Sequence, residues 1–133
     1  MVTTGGASVG EHDLIQSALT EIGLKIKFWK IAMRPGKPLM FGQLGKTPLL
    51  GLPGNPVSSL GCALIFLGPA LDRLLGLETD LPSATITAFL GSDLEANDER
   101  EDYLRAVLTV DQSGNHIATP YAKQDSSMMS LLV

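Results

Sequence analysis

Gly51-Leu52-Pro53-Gly54-Asn55-Pro56-Val57-Ser58 carries an extended chain into a helix within eight residues. Asn55 is a favoured N-cap and Pro56 a favoured first helical residue, because proline's missing N–H would find no partner there in any case. From this start the apolar pattern predicts a helix to about Leu75, with a kink or restart at Pro69 and Gly76 as the stop. Upstream, Leu39–Gln43 and Pro48–Leu52 are expected to be short strands, joined as a hairpin through Leu44-Gly45-Lys46-Thr47. Arg34-Pro35-Gly36-Lys37-Pro38 then reads as a loop.

Further out, Leu24, Ile26 and Phe28 alternate with Lys25 and Lys27, after which Ile31 and Met33 continue the apolar face. A strand over Leu24–Met33 with a bulge or break near Trp29-Lys30 accounts for the change of phase. A helix is expected from Glu11, with Leu14, Ile15, Ala18, Leu19 and Ile22 at helical spacing and Gly23 at its end. Met1–Thr4 reads as the tail of a strand whose beginning is missing. The fold class is therefore α/β with a mixed, partly parallel sheet.

Beyond Glu78 the pattern becomes all-β. Ala84–Leu90, Tyr103–Val110 and His116–Tyr121 are expected strands, with an acidic loop over Glu95–Asp102 and a turn at Asp111–Asn115. With Thr79–Ser83 as linker, the chain divides into residues 1–78, the later part of an α/β domain, and residues 79–133, an incomplete β-rich domain.

The 133 residues are 44% hydrophobic and 18% charged, with a net charge of −4. That much apolar material can bury a core, and the low charge excludes a disordered chain. The acidic surplus argues against a general nucleic-acid binder. Cys62, the single cysteine, excludes a disulfide scaffold and points to a reducing, cytoplasmic setting. The apolar run Leu60–Leu71 is broken by Gly61, Gly68 and Pro69, so no membrane span is expected.

Three loops can carry chemistry. Thr3-Thr4-Gly5-Gly6-Ala7-Ser8-Val9-Gly10 leads into a helix start, where backbone N–H groups either hold an anion or merely close a βα connection. Arg34 and Lys37 are stiffened by Pro35, Gly36 and Pro38, with Lys30 nearby; such a pair suits an oxyanion or lies solvated in a turn. At Gly51–Ser58, Asn55 caps the helix, and Asn55 and Ser58 can also face a polar ligand. Asp13 is placed to bind a divalent cation, act as a base or complement a helix dipole. The acidic loop reads as solvated, Cys62 as core, and His12 and His116 as non-catalytic.

Taken together, the glycine loop through Asp13, Phe28-Trp29-Lys30, Arg34–Pro38 and Gly51–Ser58 resemble the molybdopterin molybdenumtransferase family, which includes the similar C-terminal domain of gephyrin. The resemblance covers this whole chain but only a C-terminal part of the family's length. It implies insertion of molybdate into adenylylated molybdopterin with release of AMP, with magnesium as cofactor and a homodimer in full-length members. It also implies that Gly5, Gly6, Ser8, Gly10, Pro53, Gly54, Asn55, Pro56 and Ser58 hold the pterin and its phosphates. Arg34 and Lys37 would be oxyanion clamps supported by Lys30, and Asp13 an essential acidic residue. Arg105, within an expected strand, and Ser126 would bind molybdate, with Asp125 where the family usually has glycine. The alternative is a non-catalytic molybdopterin-binding or protein-interaction fragment.

Overall fold

A computed structural model describes residues 1–5, 14–77 and 85–127. Its first half is a mixed four-stranded sheet. The strands are β1 (Val2–Thr4), β2 (Leu24–Trp29), β4 (Met40–Leu44) and β5 (Thr47–Leu52), in the order β1-β5-β4-β2. β1 runs parallel to β5, and β4 is antiparallel to both β5 and β2. Helix α1 (Leu14–Glu21) precedes β2, and the chain reverses at Gly23, whose φ of +97° suits glycine.

Of the bulge or break expected near Trp29-Lys30, the structure has the break: the strand ends at Trp29, where Lys30 takes a left-handed φ of +67°. A separate register shift lies earlier, between Ile26 and Phe28. Met33–Arg34 then forms a separate two-residue strand, β3.

After β5 the helix begins at Pro56, with Asn55 in the extended N-cap conformation. It runs as α2 (Pro56–Cys62), a π-helical stretch Ala63–Leu67, and α3 (Gly68–Leu74). Pro69 has no N–H to give to the preceding turn, and the Gly68 N–H reaches back five residues to the Ala63 carbonyl. The expected kink is thus absorbed as a widened turn. Pro56–Leu74 has a mean hydropathy of 1.4 and is long and apolar enough to cross a membrane by length and composition, contrary to the reading of 60–71 alone. In this fold its inner face lies on the sheet. Cys62 packs with Met33, Leu39 and Leu52, whereas Leu24, Met40 and Leu49 form a second cluster. Leu64 and Leu74 point outward and are about 70% exposed.

The second half is a three-stranded sheet of β6 (Phe89–Leu90), β8 (Ala106–Val110) and β9 (His116–Pro120), ordered β6-β9-β8. The Asp111 carboxylate accepts the Ser113 and Asn115 N–H groups and closes the predicted turn. Two expected strands are shorter than their sequence patterns. Residues 85–88 are irregular, and Arg105 precedes β8 instead of lying within it.

The halves are joined by backbone. β7 (Glu101–Asp102) pairs in parallel with β3, and the ladder is flanked by Glu101 N–H to Ala32 carbonyl (2.9 Å) and Tyr103 N–H to Arg34 carbonyl (2.8 Å).

Candidate functional site

The loop between β3 and β4 is held in shape by backbone hydrogen bonds, two of them from the segment just before β3. The Lys30 N–H donates to the Leu39 carbonyl, the Ile31 N–H to that of Lys37 and the Leu39 N–H to that of Gly36, each at 3.0 Å. Gly36 is buried with φ +127°, and a β-carbon there would lie 2.8 Å from the Cys62 sulfur and 3.0 Å from the Met33 sulfur. Only glycine lets the loop press against this helix while presenting Arg34 and Lys37 on either side of it.

The helix start approaches from the other direction. Its expected side-chain cap is absent: Asn55 Nδ2 donates instead to Ser126 Oγ at 2.9 Å. The Ser126 carbonyl in turn accepts the Val57 N–H at 3.1 Å, and the Ser59 N–H is taken by the Asn55 carbonyl. Pro56 has no N–H, so this helix start spends its first-turn donors on protein more fully than the sequence suggested.

Arg105 organises the segment carrying Ser126. A guanidinium nitrogen of Arg105 donates to the Asp125 carbonyl at 2.9 Å. Gln124 accepts the Arg105 N–H and donates to the carbonyls of Arg105 and Tyr121. The Asp125 carboxylate, at the position where the family usually has glycine, accepts the N–H and hydroxyl of Ser127 and does not line the cavity described next. These hydrogen bonds keep its acid strength above that of an ordinary aspartate.

These elements enclose a cavity of about 320 Å³ whose walls include Lys37, Ser58, Arg105 and Ser126. Arg34, Pro38 and Asn55 complete this side, and Arg100, Tyr103 and Gln124 close it from the second half. Ser58 is buried within this wall. The cation loop, the helix start and the molybdate-binding pair predicted from the resemblance thus share one space. Gly5, the first glycine of its loop, is not in the cavity wall but packs against the turn before the helix: it donates its N–H to the Leu52 carbonyl, and a β-carbon on Gly54 would lie 3.5 Å from its Cα. Gly6, Ser8, Gly10 and Asp13 lie outside the described residues.

Not every predicted residue reaches this cavity. The Lys30 ammonium lies over the Trp29 ring, 4.3 Å from its centre, and Lys30, Pro53, Gly54 and Pro56 are not in the cavity wall. Arg34 is in the wall, but its guanidinium is bound by Asp102: Nε donates to Oδ1 at 2.9 Å and a terminal nitrogen to Oδ2. This carboxylate pushes the Arg34 pKa further up. Arg100 is likewise bound to Asp98, and that hydrogen bonding pulls the Asp98 carboxyl down to about 2. The loop read as solvated therefore supplies counter-ions. Nothing in the local pattern marks Asp102 or Gln124, because their partners Arg34 and Arg105 lie 68 and 19 residues away in sequence, whereas Arg100 pairs with Asp98 two residues before it.

The fold is of the molybdopterin-binding α/β type, followed by a small β unit. Residues 1–73 match the family described as "Probable molybdopterin binding domain", and residues 87–133 match "MoeA C-terminal region (domain IV)". The chain belongs to the molybdopterin molybdenumtransferase family. It is similar to the molybdopterin molybdenumtransferase of Haemophilus influenzae, at 33% identity over all of this chain and 33% of that protein. To that of Bacillus subtilis it is 32% identical, over 99% of this chain and 30% of the relative. The crystal structure of a molybdopterin biosynthesis protein from Pyrococcus horikosii superposes with a TM-score of 0.65 at 29% identity, covering 98% of this chain and 30% of that one. The chain thus spans about a third of the length of these relatives.

Proposed function

We propose that this chain supplies oxyanion- and pterin-binding surface to a molybdopterin molybdenumtransferase, which inserts molybdate into adenylylated molybdopterin with hydrolysis of the adenylate and release of AMP. The observation that carries this reading is the convergence of Lys37, Ser58, Arg105 and Ser126 on one cavity. A tetrahedral dianion asks for cations and hydroxyl donors arranged around it, and those four residues are of that kind. Lys37 acts as a point charge on a fixed loop, and Arg34 as a clamp for molybdate or for charge developing on a phosphate. Gly5, Gly6, Ser8, Gly10 and the Pro53–Pro56 turn hold the pterin and its phosphates, with Lys30 at the periphery. Asp13 positions water.

Magnesium is expected at Asp13, which lies outside the described residues. Among them no three His, Cys, Asp or Glu side chains lie together as a metal site, and Asp98 and Asp102 are engaged by guanidinium groups. The reading also includes a division at residues 78/79, a homodimer in the full-length protein, and a cytoplasmic setting free of nucleic acid and membrane.

Isothermal titration of the chain with sodium molybdate, and separately with adenylylated molybdopterin, tests this. Binding that weakens about tenfold in Lys37→Ala is expected, as for loss of one charged hydrogen bond. An absence of heat with both ligands, or unchanged affinity in the variant, removes the proposal. A non-catalytic molybdopterin-binding or interaction fragment is the second reading, favoured by the internal pairing of Arg34. Binding without AMP release would select it.

A further inference from the structure

Arg34 stands in a wall shared by two cavities: the one just described, and a neighbour of about 640 Å³ lined by residues 92–98 and by Asp102. The Asp102 carboxylate meets both its Nε and a terminal nitrogen. A guanidinium offers this same two-pronged fork to a tetrahedral oxyanion. The partners differ in freedom. Asp102 lies on β7, tied by parallel pairing to β3, and its side chain is only 15% exposed, whereas that of Arg34 is 48% exposed. The carboxylate is anchored, and the guanidinium has room to turn.

Resting on the reading of Arg34 as a clamp, we propose that Asp102 is a positioning residue that occupies the Arg34 fork until a tetrahedral dianion enters the cavity and takes its place. Arg100 makes the exchange electrostatically tolerable. It lies close enough for its charge to interact with Asp102, so the carboxylate keeps a cation nearby after Arg34 turns away. No covalent bond changes; the ion pair with Asp102, and the longer one with Asp98 at 3.9 Å, are traded for one with the dianion. The fraction of molecules in which Arg34 is free then scales the apparent affinity for the dianion.

The test is titration of the 133-residue chain with sodium molybdate at constant ionic strength, comparing the wild type with Asp102→Asn, Arg34→Ala and the double variant. Asp102→Asn is expected to bind about three- to tenfold more tightly, in keeping with the modest strength of a partly exposed ion pair. The double variant should bind like Arg34→Ala, because the gain passes through Arg34. A purely structural role for Asp102 predicts weaker binding instead. Equal or weaker binding by Asp102→Asn, with the wild type still binding molybdate, overturns the exchange and leaves the cavity reading standing. Failure of every chain to bind overturns both. Should Asp102→Asn not fold, NMR of the wild type decides: saturating molybdate should move both the Asp102 carboxyl carbon and the Arg34 Nε–H resonances. Unmoved resonances at saturation overturn the proposal.

Discussion

Asn55 and Ser126 stand 71 residues apart in sequence and share a 2.9 Å hydrogen bond from the Asn55 amide to the Ser126 hydroxyl. The same serine caps the helix start with its carbonyl through Val57. The helix that closes the α/β half and the segment that closes the cavity are therefore one connected unit. Asn55→Ala should destabilise the chain by about 1 kcal/mol, the usual net worth of a hydrogen bond. Hydrogen exchange identifies the cause: the Val57 amide should exchange faster, while Ser59, bonded to the Asn55 backbone, stays protected. Equal change at both sites would mean that the whole helix start had loosened.

Gly36→Ala should be costlier. The added carbon would meet two sulfur atoms in a buried contact, on a backbone whose φ disfavours side chains. Overpacking and backbone strain together suggest a loss of at least about 2 kcal/mol, read as a lower urea midpoint. Retention of wild-type stability would show that the loop does not press on Cys62 as described.

Burial pushes the Cys62 thiol up to about 11. The folded state therefore holds this proton more tightly than the unfolded chain, in which the group titrates near 9. The contribution to stability is complete below pH 9 and is lost as pH rises through about 11. Denaturation midpoints should fall across that window, and Cys62→Ser, with no thiol to ionise, should lose this part of the decline. At pH 8 the native thiol should resist alkylation until denaturant is added.

Asp98 titrates in the opposite sense. Its side-chain bond from Arg100, followed by a backbone bond from the same residue, lowers its pKa from 3.8 to about 2. Its stabilising contribution is present above pH 4 and disappears as pH falls through about 2. Carboxyl NMR should find that low midpoint in the wild type and a more ordinary one in Arg100→Gln.

Local rules carried the first half of the fold well. Gly23, Gly45 and Gly76 sit at reversals with positive φ, and Pro56 opens a helix, because backbone constraints act over one or two residues. Pattern did less for the second half. Residues 85–88 and 103–105 carry strand-like composition, yet few backbone partners are available to extend a three-stranded sheet there.

The sequence by itself determined the strand-helix order, the three loops and the residue types able to hold an oxyanion, since each depends on neighbours along the chain. Only the tertiary structure decided how those residues are used. It gave Arg34 to Asp102, turned Asn55 from a cap into a tie to Ser126, and put Lys37 and Arg105 in the wall of one cavity. Hydrogen bonds and ion pairs form between groups that are close in space, and the pairing of β3 with β7 brings those groups together across the chain.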